Sequence, residues 1–82
     1  MSKWEKLLNQ IKNLSGDLRF QELKKVLESL GYTMTPPKSG SSHYTFRKPG
    51  KMPITIPKHY PIKKAYVMLV RKAVEEDENE NN

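Results

Sequence analysis

The sequence predicts a two-layer α+β domain of order α-α-β-β-β-α, its three strands forming one antiparallel sheet. Three observations predict it. Apolar residues recur at helical spacing before Gly31 and again after Pro61. Between them, three short runs alternate apolar and polar residues, and Pro49-Gly50 joins the second run to the third. The 82 residues make one domain, with no internal repeat. A chain of this size buries only roughly 60–65% of its unfolded surface, so every element must contribute to the core.

The first helix is expected over Ser2–Leu14, where Trp4, Leu7, Leu8, Ile11 and Leu14 fall on one stripe. At 100° per residue that stripe spans about 120°. Ser15-Gly16-Asp17 is read as its stop. A second helix is expected from near Leu18 to Leu30, with Phe20, Leu23, Val26, Leu27 and Leu30 on one face and Leu18 off it. Gly31 stands where a helix ends in a left-handed residue. Tyr32 and Met34 then alternate with Thr33 and Thr35 before Pro36-Pro37 ends the first strand.

The second strand runs from His43 to about Lys48 and the third from about Met52 to Pro57. Pro49-Gly50 suits the two central positions of a type II turn, which makes these strands a hairpin. Pro53 and Pro57 put the third strand at a sheet edge, because proline cannot donate to a central ladder. A last helix is expected from Ile62 to Glu76, with Ile62, Ala65, Tyr66, Leu69, Val70 and Ala73 on one face. Tyr32, Met34, Tyr44, Phe46, Ile54 and Ile56 then lie beneath the helices. Thr33, Thr35, His43, Thr45, Arg47 and Thr55 form the wet face.

The net charge of +6 understates an asymmetry. Five of the nine acids lie between Glu75 and Glu80, so residues 1–74 carry fifteen basic residues against four acidic ones, a net +11. A body this basic attracts polyanions through counterion release, or else carries a solvated surface. The acidic segment is expected to be unstructured beyond its first few residues. Cysteine is absent, which removes disulfides and thiolate metal sites. No apolar run suits a membrane helix or a secretory leader, so the expectation is a cytoplasmic protein without membrane association.

Chemistry concentrates between Lys38 and His59. His43 is the first candidate catalyst, since a histidine titrating near neutrality removes a proton from a ribose 2′-hydroxyl without a metal. The plainer reading is a solvent-facing strand residue. Arg47 shares its strand face but lies about 13 Å away at about 3.3 Å per residue, which suits a neighbouring phosphate. Thr45, between them, is a candidate for the nucleic-acid backbone. Gly40-Ser41-Ser42 leads into the strand and is able to present backbone N–H groups, with Ser41 and Ser42 as phosphate contacts or as an ordinary flexible loop. Lys38, Lys48, Lys51 and Lys58 sit at strand ends as candidate phosphate contacts or solvated lysines. His59 is a possible helper to His43 if the third strand lies beside the second, and Tyr60 is a possible base-stacking residue. No cofactor fingerprint is present, and the four carboxylates before Glu75 all lie in the first third of the chain, a poor arrangement for a metal centre.

Three segments carry a resemblance: Phe20-Gln21-Glu22-Leu23 through Leu30-Gly31-Tyr32, then Gly40-Ser41-Ser42-His43-Tyr44-Thr45-Phe46-Arg47, then Ile54-Thr55-Ile56-Pro57-Lys58-His59. Together they resemble the HicA toxins, small bacterial mRNA interferases of type II toxin–antitoxin pairs. The similarity covers about residues 18–74. It implies a fold similar to the double-stranded-RNA-binding domain, α-β-β-β-α with a three-stranded antiparallel sheet. Residues 17–75 would form that domain, residues 1–16 an extra N-terminal helix and residues 76–82 an acidic tail. It further implies cleavage of mRNA with His43 as the catalytic residue, and a HicB-type antitoxin that covers or obstructs the active face; from the residues themselves, no cofactor is expected. Two serines precede His43 where the family motif has one.

Two other readings remain open on the residues alone. One is a non-catalytic RNA-binding module of the same fold, in which His43 only contacts the backbone. The other is a protein-interaction domain built on the first helix, which leaves the basic body unexplained.

Overall fold

The computed structural model describes residues 2–37, 40 and 42–80. Its elements are α1 (Lys3–Lys12), α2 (Phe20–Ser29), β1 (Thr33–Thr35), β2 (His43–Arg47), β3 (Ile54–Pro57) and α3 (Lys64–Glu80). This is the expected α+β order, with a three-stranded antiparallel sheet β1-β2-β3.

Ser2 caps α1, its Oγ accepting the Glu5 N–H at 3.1 Å, which satisfies one of the helix's unpaired donors. Leu7 and Ile11 are buried. The helix ends two residues earlier than its apolar stripe suggests, and the residue that turns the chain is Leu14 (φ 54°) rather than Gly16. The Ser15 N–H reaches the Gln10 carbonyl at 2.9 Å and the Leu14 N–H reaches that of Ile11 at 3.1 Å. These are the two bonds of a Schellman end. A left-handed leucine costs about 1–2 kcal/mol, offset here because its side chain packs against the core.

The same pair of bonds ends α2, now with the predicted glycine. Gly31 (φ 100°) donates to Glu28 and Tyr32 donates to Leu27, at 3.1 and 3.0 Å. At the other end, the Arg19 N–H donates to the Glu22 carboxylate at 2.8 Å. Leu18 lies before the helix but is buried, which explains why it falls off the α2 stripe.

In the sheet, β1 pairs Thr33 with Arg47, Met34 with Phe46 and Thr35 with Thr45. The β3 partners are Pro57 to His43, Ile56 to Tyr44, Thr55 to Thr45 and Ile54 to Phe46. Directly paired residues share a face, so the predicted wet and buried faces are both obtained. The third strand is at an edge, as its prolines require. The Lys51 N–H donates to the Lys48 carbonyl at 3.0 Å with Gly50 at φ 80°, the geometry of the type II turn.

The last helix differs most from expectation. It starts at Lys64 and buries Val67, Val70, Ala73 and Val74, while Ala65 and Leu69 face outward. Ile62 is buried, but from the loop before the helix, where its N–H donates to the Leu18 carbonyl at 3.1 Å. Releasing Ile62 from the helix frees the valine row to meet the sheet. The acidic segment is ordered helix as far as Glu80, contrary to its composition. Lys12 pairs with Glu78 at 2.8 Å, and Lys51 pairs with Glu76 at 3.4 Å and with Glu80. Basic side chains brought from α1 and the hairpin thus supply what the local sequence lacks.

One core joins all six elements. Phe46, Leu23, Val26, Leu27, Ile56, Val67 and Val70 are fully buried in it, and Ile11 of α1 belongs to the same cluster. Each such side chain contributes about 1.5–3 kcal/mol by leaving water. No helix among the described residues is long and apolar enough to cross a membrane.

Candidate active site

His43 opens β2 opposite Pro57, the last residue of β3. The ladder extends one step beyond that pair, because the Lys58 N–H donates to the Ser42 carbonyl at 2.8 Å. The His59 N–H then folds back to the Pro57 carbonyl at 3.0 Å, a tight turn at the strand end. After the cis Tyr60-Pro61 bond, the contact from Ile62 to Leu18 fixes the far end of the segment. The loop 58–62 is therefore tied to β2 at one end and to the approach of α2 at the other.

This tether brings the two histidines together. His43 and His59 line one cleft of about 540 Å³ with Pro57, Ile62, Lys63 and Tyr66. Both are solvent-exposed. Proline and isoleucine supply an apolar surface, and two imidazoles and an ammonium supply the polar groups, a composition usual for a site that orients a ligand. A second depression of about 450 Å³ lies at the hairpin end between Tyr32, Met52 and Leu69, with Lys51, Lys72 and Glu76. It contains no histidine.

The remaining candidates divide between the two ends of the sheet. Lys58 lies at the histidine end, its ammonium 5.8 Å from the centre of the Tyr44 ring. Ser42 takes part through its carbonyl. Thr45 lies mid-strand, its Oγ1 3.2 Å from that of Thr55, which still leaves hydroxyl capacity for a ligand. Arg47 and Lys48 stand at the opposite end, and Lys48 covers the Tyr32 ring at 5.7 Å. Burial and the nearby Glu76 push the Tyr32 hydroxyl up from its ordinary value. Lys51 is held by Glu76 and Glu80, away from the histidines. Lys38 and Ser41 lie outside the described residues.

Sequence reasoning missed Arg19. Its guanidinium sits 5.3 Å from the centre of the Tyr60 ring, and the only local signal was a cation just before a helix. Lys63 and Tyr66, which complete the cleft, were read only as parts of the last helix. Among the described residues, no three His, Cys, Asp or Glu side chains are grouped as a metal site.

With this geometry in place, comparison with known families is decisive. The profile of the HicA toxins of bacterial toxin–antitoxin systems matches residues 20–75, well over half of the chain. The chain belongs to the HicA toxin family. HicA toxins generally cleave mRNA, and membership implies an antitoxin partner. The match begins with α2 and ends within α3, so α1 is the element outside it. No curated protein and no solved structure matches the chain.

Proposed function

We propose that this HicA-family protein is a metal-independent endoribonuclease that cleaves mRNA, with His43 as general base. The observation that carries the reading is the shared cleft of His43 and His59 on a strongly basic body. His43 takes the proton of a ribose 2′-hydroxyl, and the 2′-oxygen attacks the adjacent phosphorus. The bond from phosphorus to the 5′-oxygen breaks, and that oxygen takes a proton, for which His59 in its charged form, lining the same cleft, is the candidate donor. Lys58 and Lys63 stabilise the charge that builds on the phosphoryl oxygens. The products are a 2′,3′-cyclic phosphate and a 5′-hydroxyl.

Phosphates further along the strand are held by Ser42, Thr45, Arg47 and Lys48, together with Lys38 and Ser41. The substrate sets the place of action as the cytoplasm. A HicB-type antitoxin silences the toxin by covering the histidine face.

The test is RNA cleavage in EDTA by the wild type and by His43→Ala, with product ends identified. Acid–base catalysis of this kind is worth about 10²–10⁴-fold, so the folded variant should lose at least that much. Products ending in a 3′-hydroxyl, or a strict need for Mg²⁺, would overturn the mechanism. Salt-sensitive RNA binding without cleavage by the wild type would instead support a non-catalytic binding module.

A further inference from the structure

Tyr60 is an aromatic ring that the cleavage scheme does not use. It is 63% exposed, far more than a ring of this size needs for packing. Its neighbours are specific. Arg19 stands over it at 5.3 Å from the ring centre. Tyr60 and His59 both line the histidine cleft, and both also line a shallower depression that holds Arg19, Phe20 and Lys58. The two residues therefore form the ridge between the depressions, with Arg19 on one side and His43 on the other.

Both partners are anchored through the backbone. The Arg19 N–H donates to Glu22 at 2.8 Å, and its carbonyl accepts from the Glu22 and Leu23 amides at 3.0 and 3.3 Å. The Tyr60 loop is closed by the Lys58 and Ile62 amides, bonded to Ser42 and Leu18 at 2.8 and 3.1 Å. The backbone that carries the ring and the backbone that carries its guanidinium neighbour are thus both fixed.

We infer that Tyr60, backed by Arg19, is the base-stacking platform that receives an unpaired nucleobase next to the phosphate held at His43. This rests on the RNA reading above and deepens it. Aromatic rings accept any base by stacking, and a guanidinium plane does the same. Ammonium groups to either side, on Lys58 and Lys63, meet the flanking phosphates. Stacking needs a base free of its duplex, so the substrate at this point is single-stranded. Fixing one base fixes the sugar next to it, and with it the 2′-hydroxyl that His43 must reach.

The experiment measures binding in the His43→Ala background, so that the RNA stays intact. A short fluorescein-labelled single-stranded RNA is titrated by anisotropy, then replaced by versions carrying one abasic nucleotide at each position in turn. One abasic position should weaken binding by about 10- to 100-fold. Tyr60→Ala should bind the unmodified RNA correspondingly less well and lose sensitivity to that abasic position. Tyr60→Phe should keep both properties, and Arg19→Ala should lose about 2- to 5-fold. Circular dichroism confirms that each variant is folded.

An unchanged affinity in Tyr60→Ala, an abasic penalty that persists in it, or a flat abasic scan in the wild-type ring overturns the platform. Tighter binding of duplex than of single-stranded RNA also overturns it. The stacking signature without any cleavage by the otherwise wild-type protein leaves the platform standing and removes the proposed catalysis. Absence of RNA binding removes both.

Discussion

The backbone N–H of Lys58 donates to the Ser42 carbonyl at 2.8 Å, one residue beyond the last paired position of β3. That bond sets where His59 emerges relative to His43. Lys58→Pro removes the donor, and the extended Pro57 before it accommodates a following proline. The net stability cost should be about 1 kcal/mol. Cleavage should fall by about 10²-fold, as expected when a catalytic group moves by an ångström. Lys58→Ala keeps the donor and should lose less activity. Initial cleavage rates of the two folded variants check the order, and the reverse order would remove the tether's role.

The leading helix is part of the core rather than an appendage. Ile11 is fully buried, so Ile11→Ala should cost about 2–5 kcal/mol. Trp4 is 40% exposed, and Trp4→Ala should cost about 1 kcal/mol or less. Urea unfolding of both variants provides the comparison. An Ile11 effect no larger than that of Trp4 would show that α1 docks only loosely.

The end of α3 should respond to pH more than the part of the helix before it. Its hydrogen bond with Lys51 holds the Glu80 carboxyl below the usual carboxylate range, and the same bond holds the Lys51 ammonium above its usual range. For the acid, a lowered folded value means stabilisation that is present above the ordinary carboxylate pKa and lost as pH falls through the folded one. For the base, a raised value means stabilisation present below the ordinary lysine pKa and lost as pH rises through the folded one. The contact is therefore intact across neutrality and opens in acid or strong alkali. Amide protection factors at residues 76–80, taken against the intrinsic exchange rate at each pH, should fall in acid and in high salt, with those of Val67–Val74 unchanged. Because water and salt screen these groups, the melting temperature should move little.

Salt dependence separates the basic residues by their partners. Arg47→Ala should lower the slope of log affinity against log salt by about 0.7, the value for one phosphate contact on single-stranded nucleic acid. Lys51→Ala should leave the slope nearly unchanged, because its ammonium already faces Glu76 and Glu80. Anisotropy titrations over a range of salt concentrations measure both. A loss of about 0.7 at Lys51 as well would mean that RNA displaces the carboxylates.

Much of this architecture was legible where one local rule governs the residue. Alternation alone put Phe46 in the core with Tyr44 packed against it, and His43, Thr45 and Arg47 on the opposite face. Pro49-Gly50 gave the turn, and Gly31 gave the end of α2. The misses have a common cause, since each was decided by something distant in the chain. Ser15-Gly16-Asp17 looked like the stop of α1, but the left-handed position falls on Leu14, whose side chain packs against the core. Two stripes overlap in α3, and the helix packs on Val67, Val70, Ala73 and Val74 rather than on the one containing Leu69, while Ile62 is held outside the helix by its bond to Leu18. The acidic segment looked unstructured because its lysine partners come from α1 and the hairpin. His43 was visible from its strand and its motif, and His59 followed from pairing β3 with β2. Arg19 beside Tyr60 was not visible, because no periodicity links two residues that meet only through the loop.

The contact between Ile62 and Leu18 also orders events during synthesis. Both histidines are made once the ribosome has passed His59, two residues after β3, yet Tyr66 of α3, which lines the same cleft, has still to follow. A domain generally folds as a unit, so its core waits for its last element. A nascent chain interrupted before α3 therefore carries its histidines without their enclosure. If this toxin cleaves the messages being translated around it, its capacity to do so arrives only with α3.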